Sequence, residues 1–209
     1  MIFENRSQAG ELLARELSKI KIDAHNTIIA AIPRGGVVVA SVIAKALNLP
    51  LSCLVIKKLG APGNPELAIG ATASFGKPVL DQWFIADLKV PKEYLKAEIL
   101  KKRKEAQGRG KFLRINVSDF INRDVIVVDD GLATGQTAKA AAKILKKLGA
   151  KKLILAVPCA SPATIDLVKG DYDEVICLEV NPSLVAVGQF YRDFREVSDE
   201  EVKRLLINN

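Results

Sequence analysis

Residues 125–137 contain the pattern that decides the fold, and they read Val-Ile-Val-Val-Asp-Asp-Gly-Leu-Ala-Thr-Gly-Gln-Thr. Residues 125–128 are a β-branched run without a polar residue, which is typical of a parallel strand buried on both faces. A helical pattern over residues 138–148 follows. Because the intervening side chains are small, backbone N–H groups can approach a ligand where that helix begins. We therefore predict an anion-binding loop made of Ala133, Thr134, Gly135, Gln136 and Thr137.

Two well-known phosphate loops do not fit this stretch. A Walker A loop needs lysine after its second glycine, but Gln136 follows Gly135. The dinucleotide-binding loop needs three glycines at fixed spacing, and only two are present here. In addition, Asp129 and Asp130 would repel a phosphate at short range. Carboxylates suit hydroxyl donors, so the stretch predicts a sugar phosphate as ligand.

A second loop of the same kind occurs near the start of the chain. An apolar strand over residues 27–32 ends at Pro33-Arg34-Gly35-Gly36, and a helical pattern over residues 37–47 follows. The amides at a helix N-terminus attract anions, and the planar guanidinium of Arg34 suits phosphate oxygens. The alternative is that the two glycines only allow close helix packing.

Strand and helix patterns alternate along most of the chain. This order predicts an α/β fold, with a mainly parallel sheet flanked by helices, and 209 residues fit one domain over 1–209. In such sheets ligands bind beyond the carboxyl ends of the strands, where both loops fall.

Composition excludes several classes of site. The chain has one histidine, which rules out histidine metal clusters, and its three cysteines, Cys53, Cys159 and Cys177, lie in apolar segments without metal-type spacing. We expect buried thiols, a cytoplasmic location and no membrane contact, because no apolar run approaches about 20 residues.

The net charge of +7 fits either a nucleic-acid partner or phosphate-bearing substrates. The most basic run, Lys101-Lys102-Arg103-Lys104, has no interleaved aromatic residues. A solvated helix face is therefore favoured over a nucleic-acid site.

The stretch from Val127 to Thr137 resembles the phosphoribosyl pyrophosphate (PRPP) signature of the type I phosphoribosyltransferases. The resemblance implies that fold, with Asp129 and Asp130 as catalytic residues on the ribose hydroxyls and residues 133–137 around the 5′-phosphate. It assigns pyrophosphate to five residues: Arg34, Gly35, Gly36, Lys57 and Lys58. Across nearly its whole length, the chain is similar to a group of predicted bacterial and archaeal phosphoribosyltransferases of unassigned substrate.

The same resemblance implies further features. A mobile loop near residues 57–66 would close over the site; the alternative is that this segment is only a hairpin connection. A small hood, built from residues 180–209 and part of 76–115, would place Phe190 or Tyr191 over the acceptor ring. Mg²⁺ would be held mainly through PRPP, without direct protein ligands. The Arg34–Gly35 peptide would be cis or able to become cis, and the chain could form a homodimer.

The function implied is transfer of ribose 5-phosphate from PRPP to a nitrogen nucleophile, a nucleobase, with release of pyrophosphate. The acceptor stays open, because Ala133 stands where the hypoxanthine enzymes carry an acidic residue that assists at the base. Two alternatives remain: a PRPP- or nucleotide-sensing regulator that binds nucleic acid, and a phospho-acceptor signalling domain.

Overall fold

The computed structural model describes residues 1–209, which fold around two sheets. In chain order the elements are α1 (Arg6–Leu17), β1 (Thr27–Ala31), α2 (Gly35–Leu47), β2 (Leu51–Cys53), β3 (Ile56–Ala61), β4 (Asn64–Ala73), β5 (Val79–Leu80), α3 (Gln82–Asp87), α4 (Lys92–Phe112), β6 (Asp124–Val128), α5 (Gln136–Leu148), β7 (Leu153–Ala160), α6 (Pro162–Val168), β8 (Glu174–Val180) and α7 (Asp199–Ile207). Three short 3₁₀ helices lie at Val117–Phe120, Lys169–Asp171 and Val187–Phe190.

The main sheet is parallel throughout, with strand order β2-β1-β6-β7-β8. Its central pair, β1 and β6, runs in register from Thr27 beside Asp124 to Ala31 beside Val128. All of β1 is buried, and so are the four apolar residues of β6. The predicted α/β class is therefore confirmed. Strand order reverses between β1 and β6, so a crevice opens beyond their carboxyl ends.

Helices cover both faces of this sheet because successive strand residues point to opposite sides. Ile29 and Ile126 pack in one core with residues of α1, α2 and α7. Their neighbours, Val125 and Val127, pack in a second core against the apolar face of α5. The continuous apolar run that predicted β6 thus reflects burial on both sides.

A second, antiparallel sheet of β3, β4 and β5 forms a smaller subdomain with α3 and α4. Here residues 57–66, for which a mobile loop or a hairpin connection was predicted, belong to a hairpin of β3 and β4 that turns at Gly63, whose φ is +74°. Leu59 and Ile69 are fully buried beneath α4, and Tyr94 donates a hydrogen bond to the Gly60 carbonyl oxygen at 3.0 Å. These contacts fix a segment whose Gly and Pro content resembles a loop.

The hood was predicted from residues 180–209 and part of 76–115. In the structure, residues 76–115 supply β5, α3 and α4 to the smaller subdomain. The C-terminal segment contacts α4, where Asp199 pairs with Arg109. Its aromatic residues join a buried cluster with Phe3, and the Phe3 N–H donates to the Phe190 carbonyl oxygen at 2.8 Å. Burial of these rings ties the segment to the main sheet.

The three cysteines form no disulfide: Cys53 and Cys159 are buried and Cys177 is half-buried. Burial raises the pKa of Cys53 and of Cys159 to about 12, and the pKa of Cys177 to about 11. No helix of the chain combines the length and the apolar character that crossing a membrane requires.

Candidate functional site

A cleft of about 600 Å³ opens beyond the carboxyl ends of β1 and β6. Six residues that the sequence assigned to the site line it: Arg34, Gly35, Lys58, Asp129, Asp130 and Thr137. They come from the main sheet, from the helices that follow its strands, and from the hairpin of the smaller subdomain. The fold therefore brings residues of both anion loops to one cavity.

The acid pair lies where β6 ends. The Asp130 N–H donates to Asp129 Oδ1 at 2.9 Å, and the Tyr191 hydroxyl donates to the Asp130 carbonyl oxygen at 2.7 Å. Burial, reinforced by the neighbouring Asp130 carboxylate, raises the pKa of Asp129 well above its usual value. The two carboxyl groups thus have different surroundings, since only Asp130 is ion-paired with a cation.

That cation is Arg6, the first residue of α1, which sequence reasoning did not assign to the site. Its Nε donates to Asp130 Oδ2 at 2.8 Å and its Nη1 donates to the Arg195 carbonyl oxygen at 2.8 Å. The guanidinium also lies 3.9 Å from the centre of the Phe194 ring. Only 8% of Arg6 is exposed. No local pattern signals this role, because the partner lies 124 residues away in the sequence.

The glycine turn fits directly against the acid pair. A Cβ on Gly35 would lie 1.8 Å from Asp130 Oδ2, and one on Gly36 would lie 2.9 Å from the Val128 carbonyl oxygen. Any side chain would collide with these atoms, so the two glycines are required for the contact with the acid pair and not only for helix packing. They let the turn approach the carboxylates.

Arg34 is the residue before α2 begins, and its Nη2 lies 2.6 Å from Glu196 Oε1. Both side chains are substantially exposed, so the pair is weak and a phosphate could replace the carboxylate. The cis peptide of this turn joins Pro33 to Arg34. The Arg34–Gly35 peptide, predicted to be cis or able to become cis, is trans in this structure, and the cis bond lies one residue earlier.

The loop before α5 has the features of an anion site. Gly135 adopts a left-handed conformation with φ of +69°, and no side chain caps the helix. First-turn N–H groups are thus left for a ligand, and Ala133 and Thr134 are exposed beside them. Thr164 Oγ1 donates to the Ala133 carbonyl oxygen at 3.1 Å, which helps hold the loop.

The two lysines predicted to bind pyrophosphate separate. Adjacent strand residues point to opposite faces, so Lys58 lines the cleft while Lys57 lies 3.8 Å from Glu105 of α4. The structure therefore brings only Lys58 to the site. Two further cations that the sequence reasoning missed, Arg109 and Arg195, also line the cleft.

Phe190 and Tyr191 are both buried in the cluster around Phe3, and burial raises the pKa of Tyr191 above its usual value. Neither lines the cleft, whereas Phe194 does. Tyr191 stacks on Phe194 with 5.1 Å between ring centres and so supports it from behind. The structure thus brings Phe194 to the cleft in place of the two predicted rings.

The arrangement suits a polyanion with hydroxyl groups at its middle. Cations and unpaired helix amides provide sites for charged groups, and the acid pair lies beside them as acceptors for hydroxyl donors.

The basic run on α4, Lys101-Lys102-Arg103-Lys104, does not line this cleft. Lys102 pairs with Glu105 and Arg103 donates to the Gly76 carbonyl oxygen, so half of the run has structural partners.

Comparison with known proteins agrees with this geometry. A family model described as a phosphoribosyl transferase domain matches residues 4–195. Two provisionally named phosphoribosyl transferases of Mycobacterium tuberculosis, from strains CDC 1551 and H37Rv, are 38% identical over 207 residues, 98% of this chain. The chain spans 46% of the length of these relatives. A uracil phosphoribosyltransferase of Exiguobacterium is 45% identical over 58 residues, 28% of each chain.

Solved structures show the same fold. TT1426 from Thermus thermophilus is 36% identical with a TM-score of 0.87, and the match covers 100% of this chain and 99% of that one. A purine phosphoribosyltransferase from Pyrococcus horikoshii is 19% identical with a TM-score of 0.50, and the match covers 92% of both chains. With the family model matching nearly the whole length and both anion loops meeting at one cleft, this chain belongs to the phosphoribosyl transferase domain family.

Proposed function

We propose that the protein transfers ribose 5-phosphate from PRPP to a ring nitrogen of a nucleobase-like acceptor and releases pyrophosphate. The observation that supports this most is the acid pair, Asp129 and Asp130, lying between a glycine turn and a helix N-terminus in one cleft. PRPP has vicinal hydroxyls between a phosphate and a pyrophosphate. This order matches that of the helix N-terminus, the acid pair and the glycine turn in the cleft.

In the proposed reaction, the bond between C1′ and the pyrophosphate oxygen breaks and a bond from C1′ to the acceptor nitrogen forms. Residues 133–137 bind the 5′-phosphate through the amides at the start of α5. The carboxylates of Asp129 and Asp130 accept hydrogen bonds from the ribose hydroxyls. Because positive charge develops on the sugar as the bond breaks, the nearby carboxylates stabilise that state more than the ground state.

The leaving group gains negative charge in the same step. Arg34, the amides of Gly35 and Gly36, and Lys58 are the groups placed to receive it. Arg34 gives up its exposed contact with Glu196 for a more highly charged partner. These donors are fixed before the reaction, so they stabilise the pyrophosphate without rearranging at that moment.

Mg²⁺ fits this cleft as an ion shared with PRPP. The carboxylates lining the cleft are Asp129, Asp130 and Glu196, and the chain has no cluster of three or more acidic, histidine or cysteine residues arranged to hold a metal alone. A magnesium ion usually takes one or two carboxylates together with substrate phosphates and water. Asp129 or Asp130 would supply one such oxygen, whereas the family resemblance alone implies no direct protein ligand. When bound, the ion would neutralise charge on the pyrophosphate.

Two measurements test the proposal. Titration calorimetry with PRPP and Mg²⁺ should show binding, and Gly35→Ala, which places a methyl group against Asp130, should weaken it. A pyrophosphate-release assay over purines, pyrimidines, nicotinate and amines should identify an acceptor. A protein that binds PRPP but turns over with none of them would act as a sensor, and the transfer proposal would be abandoned.

A further inference from the structure

A second pocket of about 310 Å³ lies between the smaller subdomain and α5, beside the cleft described above. The two cavities share Ile56, Lys58 and Thr137 as lining residues, so they are neighbours across these side chains. The volume is at the lower end of the range for small-molecule sites. It suits a molecule of one or two rings.

One wall of this pocket is apolar. It is formed by β4, β5 and the neighbouring helix α6, through Ala68, Ala71, Val79, Leu80 and Leu167. A flat ring binds favourably to such a wall, because apolar surface of both the ring and the wall is removed from water. The pocket therefore favours a planar, partly apolar ligand over a sugar phosphate.

The opposite wall is cationic. Lys139 and Lys143 lie one helical turn apart on α5, both are half-buried, and neither has a carboxylate within salt-bridge distance. Lys58 adds a third ammonium group from β3. The acid in the pocket, Asp81, already accepts the Phe84 N–H at 3.0 Å as the cap of α3.

Half-buried lysines without an acidic partner are poorly compensated, since part of their hydration is lost. Lys139 also lies near the positive end of the α5 dipole. An anionic group between Lys139 and Lys143 would supply the missing charge. Together with the apolar wall, this predicts a ligand that carries an anion on a ring.

We infer that this second pocket binds a planar ring acid, a heterocycle with a carboxylate, and that this acid is the acceptor of the transfer. The inference rests on the proposed function for the acceptor role only. It also accounts for Ala133, which stands where the hypoxanthine enzymes carry an acidic residue. A ring acid would be recognised by cations on α5 and would need no carboxylate in the phosphate loop.

The test uses matched pairs of probes that differ in one carboxylate: orotate against uracil, and nicotinate against nicotinamide. Calorimetry on the full chain with PRPP and Mg²⁺ present should show at least one acid binding about ten-fold or more tightly than its neutral partner. Lys139→Gln and Lys143→Gln should each remove most of that preference. Lys146→Gln is the control, since Lys146 lies exposed on the same helix outside the pocket.

The outcomes separate the two claims. No preference for any acid, or a preference that survives both pocket substitutions, overturns the second site. Lysine-dependent binding of an acid that releases no pyrophosphate from PRPP, while a neutral base does, overturns its role as acceptor. Failure of the proposed transfer is a different result, because no acceptor, acidic or neutral, would then release pyrophosphate from PRPP, whereas loss of the second pocket leaves PRPP binding and release with a neutral base intact.

Discussion

Asp130→Asn tests the centre of the proposed site, because it keeps the shape of the side chain and removes its charge. The carboxylate accepts a hydrogen bond from Arg6 Nε at 2.8 Å, with 17% of the Asp130 side chain and 10% of the Arg6 side chain exposed. The asparagine oxygen can still accept from Arg6. What is lost is the ionic part of that bond and the negative charge beside the ribose.

The two losses have different sizes and different readouts. A hydrogen bond involving charged groups contributes about 1.5 to 3 kcal/mol, and part survives with the amide, so the free energy of unfolding should fall by about 1 to 2 kcal/mol. Loss of one preorganised electrostatic contact in the transition state costs about 1.4 to 4 kcal/mol, which is a fall in turnover of about 10-fold to 1,000-fold. PRPP affinity should change less, since the two anion loops remain.

Urea unfolding followed by circular dichroism measures the first quantity, and pyrophosphate release with a working acceptor measures the second. Arg6→Gln provides a comparison, because it breaks the same ion pair but leaves the carboxylate. It should therefore cost more stability, since the bond to the Arg195 carbonyl oxygen and the contact with Phe194 are also lost, and less turnover. Asp87→Asn, at the exposed end of α3, is a control expected to change neither.

Wild-type turnover in folded Asp130→Asn would refute the reasoning. The pair would then be only the end of β6, held in place by Arg6 and Tyr191. Equal loss of turnover in Arg6→Gln and Asp130→Asn would instead show that the geometry of the ion pair matters and that the charge at the ribose does not.

Three further predictions concern neighbouring residues. Gly35→Ala should weaken PRPP binding at least ten-fold by calorimetry, because its methyl group would meet Asp130 Oδ2. Gly108→Ala is the control, since no atom lies within 4 Å of the added methyl group, and it should raise helix stability by about 0.5 to 1 kcal/mol. Equal PRPP affinity in the two variants would contradict the prediction for Gly35. Tyr191→Phe removes the donor to the Asp130 carbonyl oxygen and should lower the free energy of unfolding by about 1 to 3 kcal/mol in urea titrations; no change would mean that water replaces it. Burial and the adjacent carboxylate raise the pKa of Asp129, so its contribution to stability is fully present below the unfolded value of about 3.9 and is lost as the pH rises through the folded value. Asp129→Asn should flatten that decline in unfolding titrations run upward from about pH 4, and an unaltered slope would argue against the assignment.

The sequence alone determined those features of the protein that depend on neighbouring residues. The apolar run of β6, the alternation of strands and helices, and the small side chains before α5 are local patterns, because burial on both faces and helix periodicity repeat over a few residues. The cap of α7 is local in the same way, since the Ser198 Oγ accepts the Glu201 N–H at 3.1 Å, three residues later. The positions of both anion loops along the chain follow from these elements.

Other features were decided only by the tertiary structure. Lys57 and Lys58 separate because they lie on a strand of a hairpin. Packing against α4 holds that hairpin, and its Gly-rich and Pro-rich composition does not indicate it. The replacement of Phe190 and Tyr191 by Phe194 at the cleft depended on burial of the first two rings against Phe3.

Arg6 and the second pocket show the reason most clearly. Arg6 reaches Asp130 across 124 residues, and the pocket combines lysines of α5 with apolar residues of β4 and β5 from a different subdomain. Neither arrangement has a sequence period, since each exists only where separately encoded elements pack together. Local sequence determines the strand, the loop and the helix, whereas the charge environment of the carboxylates and the shape of the adjoining pocket arise from packing between distant elements.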